Sequence, residues 1–110
     1  MPTTMSSMNC SRNDVVLLPI PFTDLTSRKV RPAIVVGKER SDLFVVPISS
    51  QLGNTDWQLR EWAASGLNVR CGVKAQIATV EEQRVIKIVG KLHAHDIETL
   101  NKRLRNWLQL

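Results

Sequence analysis

The sequence has few of the side chains that bind metals or form covalent cross-links. It contains two cysteines, Cys10 and Cys71, and two histidines, His93 and His95, with no Cys-x-x-Cys spacing and no cluster of the two residue types. We therefore expect neither a metal site nor a cofactor. The cysteines are compatible with a disulfide, but nothing in their positions requires one.

Long apolar runs are also missing. No run approaches the roughly 18 residues needed to span a bilayer, and residues 1–13 lack the apolar stretch of a secretory signal. We therefore expect a cytoplasmic protein with reduced thiols and no membrane contact. A chain of 110 residues has room for one domain. We assign that domain to residues 14–110, after a flexible polar tail over residues 1–13.

Aromatic residues are scarce, with no tyrosine, two phenylalanines and three tryptophans. The core must therefore consist mainly of valine, isoleucine and leucine. Hydrophobic residues still make up 43% of the chain, which indicates a globular protein rather than a disordered one. The net charge of +5 favours anionic partners such as nucleic acid or an acidic protein, although many soluble domains carry a similar charge.

Short apolar or alternating runs predict strands over residues 15–20, 33–36, 42–48, 56–62, 73–80 and 84–89. Near the end of the chain, apolar residues recur at spacings of three and four, which predicts an amphipathic helix. Several short strands before one terminal helix predict a mainly β, barrel-like domain of the α+β class. The apolar helix face comprises Ile97, Leu100, Leu104, Trp107 and Leu108.

Two segments near the start carry a family resemblance. Residues 14–25 (DVVLLPIPFTDL) and 31–36 (RPAIVV) resemble the beginning of the MazF/PemK-like toxins. Residues 46–51 (VPISSQ), 72–77 (GVKAQI) and 90–92 (GKL) resemble later parts of the same family. The resemblance implies an SH3-like barrel of the MazF/PemK/CcdB type that pairs as a homodimer. It also implies the toxin of a type II toxin–antitoxin system, inhibited by a cognate antitoxin.

The resemblance further implies a metal-independent endoribonuclease that cuts single-stranded RNA. In such a reaction the 2′-hydroxyl attacks the adjacent phosphorus, which yields a 2′,3′-cyclic phosphate and a free 5′-hydroxyl. The reaction needs a base for the 2′-hydroxyl, a group that stabilises the charged phosphorane, and help for the leaving oxygen. A guanidinium suits the second task because its fork of donors matches two phosphate oxygens.

Arg31 carries over from the family's Arg-Pro motif as the first catalytic candidate. The residue pattern alone favours a loop arginine in a surface ion pair, and the resemblance reverses that preference. Ser49 stands where the family usually has threonine and is the second catalytic candidate; Ser50 is the alternative hydroxyl, and both also fit ordinary loop positions. The RNA-binding candidates are Arg28, Lys29, Ser50, Gln51 and Gln76.

One departure concerns acid–base chemistry. Some family members carry an arginine and an aspartate before the glutamine that Gln76 matches, whereas this chain has Val73 and Ala75. A catalytically weak family member is therefore an alternative. So are a CcdB-like toxin that binds DNA gyrase through Trp107 and Leu108, and a barrel that only binds a partner.

Other residues have weaker claims to a role in the site. Trp57 and Trp62 could stack on bases, but core packing or a dimer contact fits them better. His93 and His95 flank the start of the predicted helix, so capping or exposure fits them better than catalysis.

Overall fold

The computed structural model describes residues 8–19 and 29–110. Two short 3₁₀ turns, at Leu52–Asn54 and Glu82–Arg84, interrupt the strands. Within the described residues the elements are β1 (Asp14–Pro19), β2 (Val30–Glu39), β3 (Asp42–Ser49), β4 (Trp57–Gln58), β5 (Gly72–Val73), β6 (Ala78–Glu81), β7 (Lys87–Lys91) and α1 (Ala94–Leu108).

The strands form one antiparallel sheet in the order β4-β5-β3-β2-β1-β7, with β6 also paired to β3. The expected mainly β fold with a C-terminal helix is confirmed. The barrel is not closed, however, because in the described part of the chain no strand pairing joins β4 to β7 at the two ends of this order. β4 and β5 are only two residues long, so this end of the sheet offers few backbone groups for closure.

A proline in β3 divides the strand that we expected over residues 73–80. The same edge of β3 pairs with β5 at Ile48 and Ser49 and with β6 from Asp42 to Val45. Between these two pairings the Pro47 carbonyl accepts the Lys74 N–H at 3.0 Å. Proline has no N–H to return to this edge, so the ladder breaks there and resumes at Ala78.

Both faces of the sheet are covered by apolar side chains. Val15, Ile34 and Val46 belong to one cluster with Leu100 and Leu104 of α1. In each strand the residues next to these point to the opposite face and belong to a second cluster, because side chains alternate along a strand. The buried members of that cluster are Cys10, Val16, Leu18, Ala33, Val35, Leu43, Val45, Val80 and Val85.

The predicted helix is confirmed, with one difference on its apolar face. Leu100 and Leu104 are buried, and Ile97 and Trp107 pack partly buried against the same core, but Leu108 is 51% exposed. No helix in residues 8–19 and 29–110 is both long enough and apolar enough to cross a membrane.

The segment before β1 contacts the sheet. Residues 1–7 lie outside the described residues, but Cys10 is 2% exposed. Its N–H donates to Oε2 of the largely buried Glu82 at 2.8 Å, and the same oxygen accepts Lys38 Nζ at 2.9 Å. Cys10 and Cys71 are both buried and free.

The strand that we expected over residues 56–62 is cut short, because a buried carboxylate binds the backbone of the residues that follow β4. That prediction is wrong beyond Gln58, where β4 ends, and a turn follows over residues 62–66. Asp96, in the first turn of α1 and 1% exposed, accepts the backbone N–H groups of Arg60 at 2.9 Å and Glu61 at 2.8 Å. The last predicted strand, over residues 84–89, is likewise shifted to β7, because a 3₁₀ turn occupies Glu82–Arg84.

Candidate active site

A cavity of about 290 Å³ lies where the beginning of β2 meets the end of β3. Arg31 from β2 and Ser49 and Ser50 from the end of β3 lie in its lining. The sheet therefore brings together residues that are 18 and 19 positions apart in the chain. The other lining residues are Leu17, Val30, Pro32, Ile48, Gly66, Leu67, Asn68, Val69, Cys71 and Val89.

Arg31 is placed by the pairing of β2 with β1, where it lies opposite Leu18. It is extended, as expected for a residue that precedes proline, and it is exposed. Within residues 8–19 and 29–110, no carboxylate pairs with its guanidinium. The surface ion pair that the sequence left open is therefore not observed there, and the fork of donors faces a cavity that could admit a phosphate.

Ser49 is fixed by a local turn. Its Oγ accepts the backbone N–H of Gln51 at 3.0 Å, a common serine turn. A hydroxyl has one proton and two lone pairs, so the Ser49 O–H is left to donate. Ser50 follows directly and is exposed. The two hydroxyls therefore offer donors on the same side of the cavity as β3.

The other RNA-binding candidates that the structure describes, Lys29, Gln51 and Gln76, lie outside the cavity lining. The Gln51 side chain accepts Asn54 Nδ2 at 3.0 Å, which stabilises the 3₁₀ turn. Gln76 is exposed in the link between β5 and β6, and Lys29 is exposed just before β2. Arg28 lies outside the described residues. Of the predicted site residues, the structure thus gathers Arg31, Ser49 and Ser50.

The cavity also has a wall that the sequence did not reveal, comprising Leu67, Asn68 and Val69. The only sequence signal in this region is the punctuation by Gly66 and Gly72. We name these three residues the 67–69 wall. They follow a turn over residues 62–66 that has no apolar periodicity, so nothing in the residue pattern indicates that they share a cavity with Arg31.

Gly66 anchors the beginning of this wall against β7. Its φ is +94°, and a Cβ built on it would lie 2.3 Å from the Val89 carbonyl oxygen. Gly90 meets the same turn from the other side, with a Cβ position 2.3 Å from the Ser65 carbonyl oxygen. The two backbones can approach so closely only because both residues lack a side chain.

Cys71 is a lining residue with an unreactive thiol. It is buried, and its Sγ donates to the Val69 carbonyl at 3.2 Å. Burial raises the pKa of the Cys71 thiol above its ordinary value. The thiol therefore stays protonated at neutral pH and is a poor nucleophile or base.

Neither the histidines nor the described carboxylates supply a base to the cavity. Its lining contains no His, Asp or Glu among residues 8–19 and 29–110. His93 occupies the N-cap position of α1 without a side-chain capping bond, and His95 is exposed. In the same parts of the chain, no group of His, Cys, Asp and Glu residues could hold a metal ion.

The tryptophans belong to the protein interior. Trp57 is buried in the core, and Trp62 packs partly buried against it, so the expectation of core packing is confirmed. Trp107 packs against the same core and donates from Nε1 to Asp56 Oδ2 at 3.2 Å. Of the two residues suggested for gyrase contacts, only Leu108 is therefore substantially exposed.

A second cavity, of about 480 Å³, lies beside the C-terminal end of α1. Its lining is mainly apolar, and it includes the half-exposed Ile77 and Leu108 and the exposed Leu110. Arg12 and Arg105 add positive charge to it. Of the predicted RNA-site residues that the structure describes, none lies in this lining.

Comparison with known proteins gives a family and a fold. A family model described as PemK-like, MazF-like toxin of type II toxin–antitoxin system matches residues 11–108. The Mycobacterium tuberculosis toxin MazF-mt6 superposes with a TM-score of 0.71 at 18% identity, covering 88% of this chain and 97% of that one. No curated protein sequence matches the chain.

Two further solved structures from mycobacterial species are similar. An endoribonuclease in complex with its cognate antitoxin has a TM-score of 0.69 at 17% identity, covering 94% of this chain and 97% of that one. An endoribonuclease has a TM-score of 0.68 at 15% identity, covering 96% and 97%. At such identities the likeness concerns the fold.

Proposed function

We propose that this chain, which belongs to the family of PemK-like and MazF-like toxins of type II toxin–antitoxin systems, cuts single-stranded RNA at the cavity shared by Arg31 and Ser49. The observation that carries the proposal is the presence of a guanidinium, without an acidic partner among the described residues, beside two serine hydroxyls in one cavity. Two of the proteins with a similar fold are endoribonucleases, which supports the same activity.

In the proposed reaction the RNA 2′-hydroxyl gives its proton to solvent water, and its oxygen bonds to the adjacent phosphorus. The bond from phosphorus to the 5′ oxygen breaks and that oxygen takes a proton from water, which leaves a 2′,3′-cyclic phosphate and a 5′-hydroxyl. Arg31 donates to two non-bridging oxygens, where negative charge grows as the phosphorane forms. The Ser49 O–H donates to the same phosphate. Its proton is available because the Gln51 N–H occupies only a lone pair of Oγ.

The remaining RNA-binding candidates would act on the phosphate backbone beyond the cavity. Lys29 immediately precedes β2 and lies two residues from Arg31, and Arg28 precedes it in the chain. Gln51 and Gln76 would contact neighbouring nucleotides through their amides. Phosphate contacts by Lys29 and Arg28 would make RNA binding weaken with rising salt, because such contacts release counterions from the RNA.

A cognate antitoxin and a second copy of this chain are the proposed protein partners, and the cytoplasm is the proposed location. A protein of similar fold occurs in complex with its cognate antitoxin. The cavity beside α1 combines apolar residues with Arg12 and Arg105, so it suits an antitoxin segment that carries both apolar and acidic side chains. Light scattering of the purified chain would measure its molar mass in solution and so show whether it is a dimer.

The test compares the wild type with Arg31→Ala on unpaired RNA in EDTA. Arg84→Ala is the matched control, because Arg84 is exposed, pairs with Glu81 on the surface, and lies outside the cavity lining. We expect Arg31→Ala to lower the cleavage rate by about 100-fold or more, as loss of one charge-stabilising donor does. We expect Arg84→Ala to cleave like the wild type.

Two results would reject the proposal. One is equal cleavage by the wild type and Arg31→Ala, which would place the reaction elsewhere. The other is the absence of cleavage by the wild type, with 5′-hydroxyl ends missing when RNA ends are mapped.

A further inference from the structure

The lining of the 290 Å³ cavity combines two kinds of side chain. Arg31, Ser49 and Ser50 supply hydrogen-bond donors. The 67–69 wall and Val30 supply an apolar surface, in which Val30 is 48% and Val69 is 54% exposed. A nucleotide has the same division, since its phosphate is charged and its base has apolar faces.

Asn68 is the polar residue within the apolar wall. It is exposed and lies between Leu67 and Val69, which are both lining residues. In the described part of the chain, no group hydrogen-bonds to its side-chain amide. That amide offers two donors and one acceptor, a combination that can match the edge of a base.

The wall is placed firmly enough to position such an amide. Asp96 fixes the chain at Arg60 and Glu61, and the Ser65 Oγ donates to the Glu61 carbonyl at 3.0 Å. Gly66 then holds the turn against β7. Selectivity between bases requires a fixed amide, because an amide that can move would form hydrogen bonds with the edge of any base.

We propose that Asn68 determines base preference by hydrogen bonding to the edge of the base next to the cleaved phosphate, while that base packs on Leu67 and Val69. The inference rests on the proposed function, since it takes the cavity to bind RNA. The serine hydroxyls can each donate or accept, so they distinguish bases poorly. Arg31 is committed to the phosphate, so among the described lining residues Asn68 remains to read the base.

The test maps cleavage sites of four proteins on a single-stranded RNA of randomised sequence. The variants are Asn68→Ala, Asn68→Asp and the control Asn106→Ala, which changes an exposed helical asparagine outside the cavity. We expect Asn68→Ala to lose about tenfold in preference at one motif position, the usual worth of a good amide–base pair. Asn68→Asp should shift the base preference at that position towards guanine, because a carboxylate can accept hydrogen bonds from the two adjacent N–H groups on the edge of guanine.

The outcomes separate this inference from the proposed function. If the wild type cleaves RNA but all four proteins share one motif with the same ratios, Asn68 does not read the base. If the wild type leaves RNA intact, the proposed function fails and the inference falls with it. Thermal unfolding of each variant checks that the fold is retained, and the conservative Asn68→Asp variant provides a second reading if Asn68→Ala unfolds.

Discussion

Replacing Gly66 by alanine should displace the wall of the cavity. The φ of +94° lies in a region that residues with a Cβ adopt only with strain. The new Cβ would also lie 2.3 Å from the Val89 oxygen and 2.8 Å from the Val89 carbonyl carbon. These atoms belong to the backbone of β7, so no side-chain rotation can relieve the contact.

The expected cost follows from these two strains. A non-glycine residue in a disfavoured backbone region costs about 1–3 kcal/mol. Alanine also restricts the unfolded chain, which returns about 0.4–1 kcal/mol. Since the backbone contact adds to the strain, we expect a net loss of about 2 kcal/mol in the free energy of unfolding. In a domain of this size such a loss lowers Tm by roughly 10 °C.

Gly53→Ala is the matched control. A Cβ at Gly53 meets nothing within 4 Å, and its φ is not positive. Circular dichroism should show Tm within about 2 °C of the wild type for Gly53→Ala, the usual range of a surface substitution. RNA cleavage, measured well below both Tm values, should fall for Gly66→Ala alone. Equal Tm and equal cleavage for the two variants would refute the account of how the wall is held.

Two further predictions concern the buried ionisable groups. Burial opposes ionisation of Glu82, but hydrogen bonds from Lys38 and the Cys10 N–H outweigh it and lower its pKa below 4.5; the free energy of unfolding should therefore fall as the pH drops from about 4.5 towards that lowered pKa. Glu82→Gln should flatten this part of a urea-unfolding series, and an unchanged slope would contradict the assignment. Burial, followed by the charge of Glu82, raises the pKa of Cys10 to about 11, and burial raises that of Cys71. Iodoacetamide at pH 8 should therefore label neither thiol until urea unfolds the chain, whereas rapid labelling of the native protein would count against both burials.

The first three strands and the helix were predictable because their signals are local. Runs such as residues 33–36 and the helical spacing of Leu100 and Leu104 reflect which faces must be buried. The alternation over residues 56–62 is as regular as any of these, yet β4 ends at Gln58. The reason is distant in sequence, since the Asp96 carboxylate binds the N–H groups of two successive residues, which would point to opposite edges of a regular strand.

The residues of the cavity also differ in how far the sequence predicts their position. The Arg-Pro motif and the serine pair follow recognisable strands, so their meeting could be expected from a family resemblance and from antiparallel pairing. Asn68 stands in a stretch without periodicity, and its place in the lining that also contains Arg31 depends on close backbone contact between the Gly66 turn and Gly90. In the sequence the only sign of such a contact is a glycine, and glycines also occur for many other reasons.

The departures at Val73 and Ala75 acquire a structural meaning from their surroundings. Val73 is 0% exposed in the apolar cluster beneath α1, where an unpaired charge would cost several kcal/mol. Ala75 is exposed in the link between β5 and β6, outside the cavity lining. Restoring a carboxylate at position 75 would therefore charge the surface without supplying a base to the cavity. The proposed reaction must depend more on stabilising the phosphorane than on a base from these positions, and Arg31 is the residue whose loss it tolerates least.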